Sequence, residues 1–158
     1  MRETGTWHRI GMTLPMALIA TLLLGLAPVW AAKSPVHKDS DGIALQGSDA
    51  VAYHTEGKPV KGLDECETEW NGARWRIASA ENRDAFAQSP ETYAPQYGGY
   101  CAYAVSRGYT ASIDPAVWRI VNAKLYLNFS RSVQELWSKD IPGHIERTDR
   151  NWPGVLHR

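Results

Sequence analysis

Beyond position 16 the chain has no methionine: Met1, Met12 and Met16 are the only three. That removes the thioether ligands on which a methionine-rich copper site depends. Cysteine is almost as scarce, with only Cys66 and Cys101. Two thiols cannot build a zinc knot that needs three or four thiolates, nor a disulfide-dense scaffold. Excess charge is lacking too, since 17 Lys and Arg balance 17 Asp and Glu, with no basic run. Nucleic acid and anionic lipid are therefore poor partners. No internal repeat or low-complexity tract is visible. Asp39, Asp41 and Asp49, or Glu65, Glu67 and Glu69, lack the register of a calcium loop and read as solvated groups.

What is present divides in two. Arg2 and Arg9 precede an uncharged run from Ile10 to Ala32, ending in "APVWAAKSP". Val29 and Ala31 stand where small residues precede a cleavage site, so residues 1–31 read as a signal peptide. An uncleaved anchor is the alternative, but Pro15, Gly25 and Pro28 break the run. No twin arginine and no cysteine near its end point to the general secretory route without lipid attachment. The expected location is the periplasm or outside the cell, with no membrane contact once the leader is removed. Residues 32–40 read as a flexible tether and 41–158 as one domain. That domain carries five tryptophans, Trp70, Trp75, Trp118, Trp137 and Trp152, which suit core packing.

Local signals give an α+β outline. "CETEW" and "ARWRIA" flank Asn71-Gly72, a type I′ hairpin signature. Alternation puts Cys66, Thr68 and Trp70 on one face and Glu67 and Glu69 on the other, opposite Arg74 and Arg76. Ser79 caps a helix over "SAENRDAFAQ", and Ser89-Pro90 starts another. "YCAYAVSRG" reads as a short helix after Gly98-Gly99. A second hairpin turns at Asn122-Ala123. Ser130 then caps a helix with Val133, Leu136, Trp137 and Ile141 on one stripe. Pro142-Gly143 interrupts it, and an amphipathic segment follows. The outline is one small antiparallel sheet from two hairpins, several short helices and a longer C-terminal helix.

Three strings, "GSDAVAYH", "NGARWRIASAENRDAFAQSPETYAPQYGGYCAYAV" and "KLYLNFSRSVQELWSKDIPGHIERTDRNWP", resemble exported stand-alone proteins of the YHS domain family. The likeness runs from about Asp41 to Trp152. It implies a scaffold related to TRASH-type modules that bind heavy metals such as copper. The metal-binding members carry three cysteines that align with Ala52, Ala78 and Asn82 here. All three thiolates are missing, so the resemblance carries over the scaffold and not the ligand set.

The remaining candidates are His54, two residues beyond Ala52, and Cys101 in "GGYCAY". Together they could hold copper or zinc, with Asp49 as a third ligand. Cys101 has other readings: a disulfide with Cys66, an activated thiol with His54 as base, or a small half-buried core residue. Tyr93, Tyr97, Tyr100, Tyr103 and Tyr109 cluster around the glycine turn and could line a small-ligand pocket beside Cys101. His37 and His157 read as solvated. The functional expectation is non-catalytic binding of a metal ion or small ligand. A structural or protein-interaction module is the alternative, and a Cys-His enzyme a more remote one.

Overall fold

The computed structural model describes Met1 and residues 32–158; the expected leader lies outside the described residues. Among the described residues the fold is α+β, with six α-helices and four strands. No helix among them is long and apolar enough to cross a membrane.

Strands β1 (Leu63–Trp70) and β2 (Ala73–Ile77) form the first hairpin. Its turn residues Asn71 and Gly72 take φ of +49° and +74°, as a type I′ turn requires. Glu67 binds Arg76 at 2.8 Å and Arg74 at 3.1 Å across the polar face, as the alternation predicts. On the other face Trp75 and Trp70 meet Phe86 of α2 (Ala80–Gln88), with ring centroids 5.0 and 6.1 Å away. Buried aromatic contacts of this kind add about 1 kcal/mol each beyond area. Ser79 caps α2, its hydroxyl accepting from the Asn82 N–H.

Strands β3 (Trp118–Val121) and β4 (Lys124–Leu127) form the second hairpin. The expectation of one shared sheet fails here: the hairpins stand as two separate two-stranded sheets. The reason is local. Residues 42–44 occupy the free edge of β2, with Arg74 N–H donating to the Gly42 carbonyl and Ala44 N–H to the Arg74 carbonyl. The middle of that edge is thereby paired already, at Arg74.

The helices fill in around these hairpins. Asp49 caps α1 (Ala50–Thr55), α3 is a single turn (Pro90–Tyr93), and α4 (Ala102–Ser106) follows the glycine turn. Ser130 caps α5 (Arg131–Ser138), as its sequence indicates. Pro142-Gly143 does not break a helix but opens one. Asp140 caps α6 (Ile141–Asn151), its Oδ1 accepting from the Gly143 N–H, and proline sits where no N–H is needed. The longest helix, α6, lies on α4. His144, Thr148 and Asn151 share one stripe of it, and each bonds to α4.

Residues 33–38, expected as part of a flexible tether, are fastened to the domain. Lys33 N–H bonds to the Leu156 carbonyl, His37 N–H to the Gly98 carbonyl, and the Tyr100 hydroxyl to the Ser34 carbonyl. Val36 is buried. Gly98 has φ +61°, and a Cβ there would stand 1.9 Å from the Pro35 carbonyl oxygen. Composition alone suggested a polar tail, but one apolar anchor and backbone bonds hold it down.

Asp49 is the most connected polar group. It is fully buried, its Oδ1 accepting from Val51 and Ala52 N–H and its Oδ2 from Ala78 N–H and Asn82 Nδ2. Replacing Asp49 with Asn turns a donor toward the Ala78 N–H. The Asp49→Asn variant should lose about 2–4 kcal/mol of stability in urea unfolding, close to the loss for Asp49→Ala. A loss under about 1 kcal/mol for either would refute this role. At the second hairpin, Ala123 is held at φ +59°, where a Cβ is unfavourable. Ala123→Gly is expected to raise stability by about 1 kcal/mol in the same measurement.

Candidate functional site

His54 lies in the last turn of α1, half-buried, its ring edge-on to Tyr93 at a centroid distance of 5.6 Å. Its Nε2 is buried and has no hydrogen-bond partner. Burial lowers its pKa, and the nearby Tyr93 backbone opposes this only in part. Ala52, Ala78 and Asn82 meet in space. Ala52 and Ala78 N–H groups and the Asn82 amide converge on Asp49. Both Asp49 oxygens are committed there, so the structure does not offer it as a third metal ligand.

Cys101 is the N-cap residue of α4 and is 1% exposed. Its N–H donates to the Ala111 carbonyl, and its thiol points to Asn128 Oδ1 at 3.8 Å. Burial pushes the thiol pKa up, against the backbone N–H groups of Ala104, Phe129 and Tyr103, which pull it down. That is the reverse of an activated nucleophile. Among the described residues no hydrogen bond links Cys101 to His54, and the partners found for each are different residues. Cys66 and Cys101 are both free, so no disulfide joins them. Among the described residues no three His, Cys, Asp or Glu side chains gather as a metal site would require.

A pocket opens beside Cys101. A cavity of about 270 Å³ is lined by Cys101, Tyr103, Ala104, Tyr109, Ala111, Phe129 and Val133. Every lining side chain is apolar or aromatic apart from the thiol and the two phenol hydroxyls. Tyr109 and Phe129 are 52% and 56% exposed. Of the five tyrosines expected around such a pocket, Tyr103 and Tyr109 line it. Tyr97 and Tyr100 instead pack with Trp152, and Tyr93 against His54. A wider groove of about 420 Å³ opens at the Asn71-Gly72 turn, but its charged side chains, Glu69 and Arg74, are ordinary cross-strand neighbours.

Two polar features escaped the sequence reading. Asn128 is fully buried behind Cys101; its Oδ1 accepts from the Tyr103 N–H at 3.3 Å, and its Nδ2 has no partner. Ser106 and His144 form a buried pair, Oγ to Nδ1 at 2.9 Å, between α4 and α6. Their separation in sequence hides the pair, and an asparagine at a strand end carries no local signal. Comparison with protein-family models, with curated proteins and with solved structures yields no match for this chain.

Three histidines predict a direction with pH. His37, His54 and His144 all have pKa values lowered, chiefly by burial. Below the unfolded-state pKa of about 6.5 the unfolded chain takes up more protons than the folded one. Stability is then complete above that value and declines as pH falls toward the lowered values. The thermal midpoint should drop between pH about 7 and about 5. His54→Phe, which keeps the edge contact with Tyr93, should flatten part of that slope. An unchanged slope in this variant would exclude His54 as a contributor.

Proposed function

We propose that this chain is an exported, non-catalytic binding protein of YHS type whose ligand is a small, largely apolar organic molecule held beside Cys101. The carrying observation is the cavity of about 270 Å³, with three aromatic side chains in its wall and no charged one. Its size suits a single ring and lies at the small end of ligand sites. Phenol hydroxyls of Tyr103 and Tyr109 can orient one polar group of the guest. Export is supported by the leader pattern of residues 1–31, and the YHS reading by the strings that run from Asp41 to Trp152.

Copper or zinc at His54 and Cys101 is the competing occupant. One titration separates the two. Phenol, benzyl alcohol and indole are each added to the purified protein, and Cu(I) and Zn(II) in parallel, with thermal midpoint as readout. At least one ring compound should give a saturable rise. Ala111→Phe fills the cavity from its half-buried wall and should weaken that binding about ten-fold or more. No saturable rise, or the same rise in the filled variant, defeats the organic-ligand reading. A metal-dependent rise abolished by both His54→Ala and Cys101→Ala would put the metal in its place.

A further inference from the structure

The large apolar side chains that this domain leaves uncovered gather mostly in one place. Apart from Met1, those exposed among the described residues are Leu63, Tyr109, Phe129 and Leu136. Tyr109 and Phe129 belong to the wall of the cavity of about 270 Å³, and Val133 of α5 lines it too. Leu136 follows Val133 three positions later on the same side of α5, and is 42% exposed. Its neighbour Trp137 turns wholly inward. The helix therefore keeps its core contact through Trp137 and presents Leu136 to solvent one turn from the cavity wall.

A protruding leucine and a hole on one surface are self-complementary. In a two-fold dimer the knob of each copy can enter the hole of the other. A cavity that suits a single ring also admits a leucine side chain. Charge does not oppose the contact. No charged side chain lines the cavity, so entry strips water from no ion there. With 17 Lys and Arg against 17 Asp and Glu, two copies meet without net repulsion. A foreign partner would have to bring a matching protrusion, whereas this chain already carries one.

We propose that Tyr109, Phe129, Val133 and Leu136 form a two-fold self-association surface, in which Leu136 of each copy occupies the cavity of the other. Four side chains make a small patch, so the dimer is weak and reversible, with Kd on the order of 100 µM. The inference goes beyond the small-molecule reading and does not rest on it: a ring compound and Leu136 compete for one cavity.

Sedimentation equilibrium of the purified protein, from about 10 µM to about 1 mM, should show a monomer–dimer equilibrium. Leu136→Glu sends a charge toward an apolar hole and should weaken the dimer about ten-fold or more. Ala111→Phe fills the hole, leaves the knob, and should weaken it to a similar degree. Leu63→Glu is the control. Leu63 is 43% exposed and stands outside the cavity wall, so this variant should leave the equilibrium unchanged. A monomer throughout that range overturns the proposal. So does an unweakened dimer in Leu136→Glu, or an equal loss in Leu63→Glu, even if the Ala111 variant fails to fold. A monomer that binds phenol removes self-association alone. A dimer that binds no ring compound removes the small-molecule reading alone.

Discussion

The amino-terminal half of this domain is organised by one buried carboxylate. Asp49 takes hydrogen bonds from the first turn of α1, from the backbone at the exit of β2, and from a side chain of α2. Three elements distant in sequence are tied at one point, without an opposing charge among its partners. A buried carboxylate is costly unless every lone pair is used, and here four N–H groups use them. Ala52, Ala78 and Asn82 all contribute to this knot. Hydrogen bonds alone cross-link these three positions.

A second constraint sets the position of Cys101. The amino-terminal strap runs across the glycine turn so closely that position 98 has no room for a side chain. The chain then enters α4, only five residues long, with Cys101 as its cap. A helix this short is not stable alone. Its carbonyls are satisfied from α6: Asn151 Nδ2 reaches Val105 at 2.8 Å and Thr148 Oγ1 reaches Ala102 at 3.3 Å. Strap, glycine turn and α6 together hold the thiol against Asn128, the residue after β4.

Signals confined to a few residues were legible in the sequence. Asn71-Gly72, the Ser79 and Ser130 caps and the α+β outline follow from turn chemistry and periodicity. Signals that need a partner far along the chain were not. Asp49 read as a solvated group, yet it is fully buried, because its donors at 78 and 82 lie beyond any local window. The strap read as a flexible tether because its anchors, Gly98, Tyr100 and Leu156, are remote. The two hairpins were joined into one sheet because nothing local reveals that residues 42–44 already occupy β2. The tyrosine-lined pocket was anticipated beside Cys101, yet clustering in sequence could not say which tyrosines face it.

The several readings open for Cys101 are narrowed by its surroundings. A disulfide is not formed, and among the described residues no histidine is hydrogen-bonded to the sulfur as a base would be. Simple core packing accounts for burial but not for Asn128, since an apolar residue there would fill the space without stranding a donor. A polar group is kept in an interior when its cost is recovered in some state of the protein. In the resting state only Oδ1 of that amide is used. Through that one oxygen the amide takes both the Tyr103 N–H and the Cys101 thiol, and so ties the entry of α4 to the residue that follows β4.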